Sequence, residues 1–334
     1  MPLLGAMVGK DTKEISQFAI NKVCNHLPLF QAITHPAFRS QHAMLLLRAS
    51  SLPRMNFLCR TLAPLLIADA CKMFDEQVYQ AAIAILRLDQ DDLSPVANSQ
   101  LRLPLRLGGL GLCRSVDTSP AAFLGSIAGS SPLLSTVPRP EGPAHSPPLL
   151  HHLRHCFDFL NLPSPNMILP SPDAFIAHFT DPANPPDKMQ HQLSHYHFLS
   201  IHSKLMASSH ILRAHLLSLA QRSAATWLSN TPSRPEYRLS DEDYIYATRL
   251  RLHLMPSPVS PQRCRCGQAI SPDHFFFCPQ LKRLAVTRRH DSIVKFLNAY
   301  LLLGGADCDM EPRPLQGERI PPDLSYVLND QHLT

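Results

Sequence analysis

FDEQVYQAAIAI, residues 74–85, decides the fold class. Phe74, Val78, Ala81 and Ile85 recur at i, i+4, i+7 and i+11, which is one apolar face of an amphipathic helix. Helical spacing extends from Asp11 to Leu88. Pro53 and Pro64 divide that stretch into short helices, because proline interrupts the hydrogen-bond ladder and biases the preceding residue away from α. This part of the chain therefore reads as a small helical unit, with the isolated Cys59 and Cys71 packed in its core. It closes with LRLPLRLGGLGL, residues 101–112, whose alternation and glycines predict a turn or short extended segment against the unit. Gly108, Gly109 and Gly111 lack both G-x-G-x-x-G spacing and a strand-to-helix context, so a phosphate cradle is a poor reading of them.

The chain has 334 residues, enough for about two domains and a sizeable core, which excludes a disulfide-stapled miniprotein. Charged residues are 17% where about 25% is usual, and the 32 prolines are about twice the expected share. The prolines are concentrated: residues 116–190 hold 14 of them and few charges, which predicts an extended linker with short helical pieces. The formal charge is +5, and 23 of the 31 cations are arginine, whose planar fork suits phosphate or carboxylate. That excess is local. Residues 201–300 carry 14 Lys+Arg against 6 Asp+Glu. MPLLGAMVGK has too short an apolar stretch for a signal peptide, and the uncharged run from Thr118 to Pro138 is broken by Ser, Gly and Pro. An intracellular, reducing setting without a membrane span is expected, nuclear if the protein acts on DNA. There, grouped cysteines point to metal or catalysis.

From Met189 to Leu228 a helical pattern resumes, rich in histidine. His191 and His195 stand at i, i+4, so a metal pair is geometrically open to them, but no flanking Glu completes a zincin motif and an exposed polar face is the favoured reading. Ser240 before Asp241, Glu242 and Asp243 is a helix start, with a hydroxyl at the N-cap and negative charge at the positive end of the dipole. That helix carries Arg249 and Arg251 near its C-terminal end.

CRCGQAISPDHFFFC, residues 264–278, holds the chemistry. Cys264, Cys266, His274 and Cys278 offer three soft thiolates and an imidazole within 15 residues, the ligand set of a closed, structural tetrahedral zinc site. Gly267 permits the tight turn of such a knuckle. With no open position and no Glu placed as a base, the metal is expected to be architectural. The bland alternative is three unliganded cysteines. Beyond it, His290, Ile293, Leu297 and Leu301 form a helical stripe ended by Gly304 and Gly305. A strand from Ala306 to Glu311 and a second one beginning at Pro322 and Asp323 follow. Together they would bring the carboxylates of Glu311 and Asp323 near each other, as sites that hold Mg²⁺ for phosphodiester cleavage require; an ordinary turn and a solvated strand end fit equally.

In order along the chain, MPLLGAMVG, LLLRASSLPRMNFLCRTLAP, KMFDEQV, LPLRLGGLGL, AAFLGS, AATWL, DEDYIYATRLRL, the CRCG knuckle, RRHD and PPD resemble the C-terminal half of non-LTR retrotransposon reverse transcriptases that carry a restriction-like endonuclease. The resemblance implies a mainly α chain. Residues 1–115 would be the end of the primer grip and a helical thumb, 116–190 a Pro-rich linker, 191–258 a helical linker, 259–282 the CCHC zinc knuckle and 283–334 a truncated α/β nuclease segment. It also implies that the polymerase's paired aspartates lie before Met1, and that Asp323 matches the aspartate of the nuclease PD motif. The family's next acidic residue would fall about a dozen positions later, whereas the chain ends at Thr334 and Asp330 is not an assumed substitute. Arg289, His290 and Asp291 match a triplet that usually ends in Asn.

The expected role is then RNA or DNA binding by a fragment without a competent catalytic centre, so its standing as an enzyme stays open. Arg54, Arg60, Arg249, Arg251, Arg263, Arg265, Arg288 and Arg289 are candidate phosphate contacts, each equally readable as a solvated charge. Phe275 and Phe276 could stack on unpaired bases. Zn²⁺ would be the structural cofactor, with Mg²⁺ required only by a completed nuclease site. The alternative is a stand-alone zinc-knuckle module that binds nucleic acid or protein.

Overall fold

The computed structural model describes residues 1–3, 5–9, 11–88, 93–134, 147–160, 175–176, 178–179, 188–255, 263–264, 266–269, 271, 274, 278, 280, 287–303, 305, 307–310 and 324–327. They form two compact units, Met1–Pro256 and Ser257–Thr334. The protein is mainly helical.

The first unit opens with a short hairpin, β1 (Pro2–Leu3) and β2 (Ala6–Met7), followed by α1 (Thr12–Cys24), α2 (Leu27–Ile33) and α3 (Ser40–Leu46). After α3 the winding changes to a π turn, Leu47–Ser51, and then a 3₁₀ turn, Leu52–Met55, that contains Pro53. The helical segments α4 (Asn56–Thr61), α5 (Pro64–Leu86), α6 (Pro95–Arg102), α7 (Ser115–Leu134), α8 (Pro147–Leu160), α9 (Met189–Ser208), α10 (His210–Leu219), α11 (Thr226–Ser229) and α12 (Asp241–Arg251) complete it.

α5 is the axis. Pro64 sits at its first turn, where a missing N–H costs nothing, and Phe74, Val78, Ala81 and Ile85 are all buried as their spacing requires. The surrounding core takes in Ile15, Ala19 and Val23 of α1 and Phe30 of α2, whose ring meets Phe74 edge-on at 5.5 Å between centroids. Cys59 and Cys71 lie in this core as expected. The Cys59 thiol and burial together raise the Cys71 thiol far above the ordinary range.

The linker reading of 116–190 does not hold for residues 115–134. They form α7, a helix that packs against α4, α5 and α9 although it contains Pro120 and Pro132. Two features outweigh the prolines. Asp75, on α5, accepts the N–H groups of Ser115 at 2.6 Å and Val116 at 3.0 Å, so a carboxylate from another helix caps this one. Burial pushes that carboxyl up to about 6 despite the two N–H bonds. Gly125 then lets α7 and α9 approach: a Cβ there would lie 2.9 Å from Gln190 Cβ. Ala121, Leu124 and Ala128 join Leu153 and Cys156 of α8, and Phe175, Ile176 and Phe179, in a second apolar cluster.

Residues 191–258, read as a further linker, belong to the same compact unit through residue 256. Ser240 Oγ accepts the Asp243 N–H at 3.0 Å, the cap expected from sequence. Asp241 accepts the Ser40 N–H at 2.8 Å at the start of α3. Beside it, Gln41 donates to the Tyr237 carbonyl at 2.9 Å and accepts from the Leu239 N–H at 3.0 Å.

In the second unit, α13 (Thr287–Leu303) precedes β3 (Asp307–Met310) and β4 (Leu324–Val327), which pair antiparallel with Met310 opposite Leu324. That helix–strand–strand order is the one the sequence predicts. Ile293 and Leu297 of the stripe are exposed, however, and among the described side chains of α13 the half-buried ones are Val294, Asn298 and Leu301. No helix among the described residues is long and apolar enough to cross a membrane.

Candidate metal centre

Cys264, Cys266, His274 and Cys278 converge. Their ligand atoms all lie within 4.8 Å of one another. A tight turn creates the first half: the Gly267 N–H donates to the Cys264 carbonyl at 2.8 Å, the Cys264 N–H donates to the Gln268 carbonyl at 2.9 Å, and Arg263 bridges Ala269 antiparallel. Gly267 supplies the positive φ of 85° that this turn requires. Two hydrogen bonds at His274 create the second half. Ser271 Oγ accepts the His274 N–H at 3.1 Å, and the Cys278 N–H donates to the His274 carbonyl at 2.8 Å, placing imidazole and thiol on one side. His274 and Cys278 are buried, whereas Cys264 and Cys266 are half-buried.

The spacings suit one tetrahedral cation. With Zn–S near 2.3 Å and Zn–N near 2.0–2.1 Å, tetrahedral geometry puts ligand sulfurs about 3.8 Å apart and sulfur and nitrogen about 3.6 Å apart. Cys264 Sγ and Cys278 Sγ are 3.7 Å apart, and Cys266 Sγ lies 3.4 Å from His274 Nε2. A disulfide would need sulfurs near 2.05 Å, so Cys264 and Cys278 at 3.7 Å are two free thiols. The Gln268 backbone favours the Cys266 thiolate, yet desolvation and the thiols of Cys264 and Cys278 outweigh it and raise this thiol. Crowded sulfurs cannot all carry charge without a cation among them. The group could hold a metal such as zinc.

The other candidates separate into distinct classes. Arg54 and Arg60 are exposed, as is Arg263. Arg249 and Arg251 are not phosphate contacts: they are 2% and 3% exposed and spend their N–H groups inside the fold. Arg249 Nε donates to the Met255 carbonyl at 2.7 Å. Arg251 donates to the carbonyls of Gly109 at 3.0 Å, Leu105 at 2.9 Å and Ala224 at 3.4 Å, and burial followed by the nearby Arg48 lowers its pKa to about 10. The glycine-rich turn 103–111 is thus moulded on a buried guanidinium. Gly109 is obligatory there, since a Cβ would fall 2.0 Å from the Leu103 carbonyl oxygen.

Arg288 and Arg289 lie in the first turn of α13. Arg265, Phe275, Phe276, Glu311 and Asp323 lie outside the described residues, so the nuclease pair is placed only by sequence: Glu311 follows Met310 of β3, and Asp323 precedes Leu324 of β4.

His191 and His195 are held by an arginine. Arg106 Nη1 is 3.2 Å from His191 Nε2, and Nη2 is 2.8 Å from His195 Nδ1. A guanidinium only donates, so both imidazoles present lone pairs to it and a metal there would compete with a fixed cation. Burial, Arg106 and His191 all lower the His195 pKa.

Sequence reasoning passed over Lys188, which joins Arg60, Ser126, Gln190, His191 and Ser194 around a cleft of about 660 Å³ with no carboxylate among its described lining residues. Nothing local signals that cleft, because α4, α7 and α9 meet there from distant parts of the chain. No protein-family model matches the chain, and no curated protein matches it in sequence.

Proposed function

We propose that this chain is a nucleic-acid-binding segment of the non-LTR reverse-transcriptase type, in which a zinc knuckle and a basic surface hold RNA or DNA while the helical unit acts as thumb and linker. The observation that carries the proposal is the convergence of the ligand atoms of Cys264, Cys266, His274 and Cys278 within 4.8 Å of one another. Three thiolates and one imidazole leave a zinc ion no open position, so its role is to fold the knuckle, and activated water is not part of the reading. Arg263 flanks the first ligand, with Arg265, Phe275 and Phe276 interleaved among the others. Cations beside aromatics are the composition with which knuckles grip a phosphate backbone and stack on unpaired bases. Arg54 and the cleft cations Arg60 and Lys188 supply sequence-independent phosphate contacts in the helical unit. Glu311 and Asp323 would engage Mg²⁺ only within a completed nuclease site.

The test is a fluorescence-anisotropy titration of the full, zinc-loaded chain with single-stranded RNA and DNA. Affinity is expected to fall linearly with salt on a log–log scale, and Arg263→Ala to reduce that slope by about one. Absence of binding at low salt overturns the proposal. A second reading, a stand-alone zinc-knuckle module, is favoured by the placement of the ligand cluster in the second compact unit rather than in the helical one. It predicts that Arg60→Ala leaves affinity unchanged while Arg263→Ala weakens it.

A further inference from the structure

α13 turns its apolar side outward. Only Val294, Asn298 and Leu301 are half-buried along its central turns, where the helix packs on β3 and β4. On its outer side Ile293 is 53% exposed, Phe296 69%, Tyr300 68% and Leu303 88%. These four residues follow a 3-4-3 spacing, the a, d, a, d positions of two successive heptads, so they form a single seam along the helix. The rings of Phe296 and Tyr300 stack within it, 6.4 Å apart and 21° from parallel. No charged side chain interrupts the seam, which makes it a poor partner for phosphate and a good one for another apolar surface.

With the adjoining Leu297, the face exposes on the order of 600 Å² of apolar area, taking aromatic side chains at about 200 Å² and aliphatic ones somewhat lower. That is at the upper end of the largest patch, about 300–600 Å², found on a typical monomer. Two such faces laid together bury at most about 1,200 Å², the lower end for a specific interface, so a weak, concentration-dependent dimer is expected.

We propose that this face is an interface between two copies of the chain, α13 of one packing along α13 of the other. A heptad seam is self-complementary, because each knob meets on the second copy a hole formed by the same residues, and a two-fold axis closes the contact without leaving a further face open. The inference stands independently of the nucleic-acid proposal.

Sedimentation velocity on the full, zinc-loaded chain tests it. Over a broad concentration range the 37.3 kDa species is expected to convert to one of twice that mass. Phe296→Ala combined with Tyr300→Ala places the best helix former at two exposed positions, so the helix is retained while both aromatic knobs go, and the dissociation constant should rise at least tenfold. Lys295→Ala, off the seam, should leave it unchanged. A monomer at every concentration overturns the proposal, as does a dimer that forms equally well without Phe296 and Tyr300.

Discussion

Replacing Arg251 by Met separates a structural arginine from a nucleic-acid contact. Methionine keeps an unbranched apolar stem of similar length and removes the guanidinium. The Gly109 carbonyl, which accepts from Arg251 at 3.0 Å, would then be left in an interior position without that donor, whereas the Leu105 carbonyl, 2.9 Å from Arg251, keeps the Gly108 N–H at 3.1 Å. An orphaned carbonyl costs about 1–3 kcal/mol. The Ala224 contact at 3.4 Å is long and adds little. Against this, removing a desolvated charge is favourable; its cost is visible in the pKa lowered to about 10 by burial and then by Arg48. The net expectation is a loss of about 2 kcal/mol, which for a unit of this size lowers the melting temperature by about 4–8 °C. Arg60→Met is the control. Arg60 is exposed and, among the described residues, makes one surface hydrogen bond, to Gln190, so its loss should shift stability by about 0.5 kcal/mol or less. Thermal and urea unfolding followed by circular dichroism, alongside RNA titration, give both readouts. A melting temperature for Arg251→Met within about 2 °C of the parent, combined with weakened RNA binding, would refute the burial argument.

Other expectations follow from equally local features. The Asp75 carboxyl, raised from 3.8 to about 6 in the fold, contributes stability that is fully present below about pH 4 and lost as pH rises through about 6, on the order of 3 kcal/mol. Asp75→Asn should abolish that slope, and parallel urea midpoints for the two proteins between these pH values would contradict it. Gly109→Ala would drive a Cβ into the Leu103 carbonyl and should cost roughly 3 kcal/mol or more, whereas Gly129→Ala, on an exposed turn of α7 with nothing within 4 Å, should stabilise by about 0.5–1 kcal/mol; chemical denaturation ranks the pair. Elemental analysis should find one zinc per chain, and Cys266→Ser should lose most of it; full retention would remove Cys266 from the ligand set.

What was legible in the sequence was local. Phe74, Val78, Ala81 and Ile85 could be read because the face they share is also the face that is buried. The Ser240 cap is set by residues three apart. The four metal ligands lie close enough in sequence for their spacing to constrain their geometry. Elsewhere, periodicity names a face without saying what covers it. Ile293 and Leu297 share a stripe on α13, yet the strands take the side that bears Val294 and Leu301. Proline content misled over residues 115–134 because the carboxylate that starts α7 belongs to Asp75, 40 residues earlier. Arg249 and Arg251 at a helix C-terminus are favourable with the dipole whether they face solvent or core. What decides between those is the turn at 103–111.

That turn also shows why residues 191–256 are not a detachable linker. Gln100, at the end of α6, donates to the Gly108 carbonyl at 3.1 Å and to the Arg251 carbonyl at 2.6 Å, while Arg251 returns bonds to Leu105 and Gly109. His215 Nε2 lies 3.0 Å from that same Arg251 carbonyl, and a second set of bonds ties Asp241 and the 237–239 segment to Ser40 and Gln41. α12 therefore closes the helical unit at two places, from residues about 150 and 200 positions away in sequence. The Gln100–Arg251 bond, the Arg251 bonds to Leu105 and Gly109 and the bonds of Ser40 and Gln41 each join buried or half-buried polar groups across the two segments. Removing α12 would orphan groups on α3, α6 and the glycine turn together, a cost no surface linker carries. The basic character of residues 201–300 is thereby divided: Arg249 and Arg251 are consumed in closing the fold, and under the nucleic-acid proposal the cations left for phosphate are those beside the candidate metal ligands and on the exposed helices.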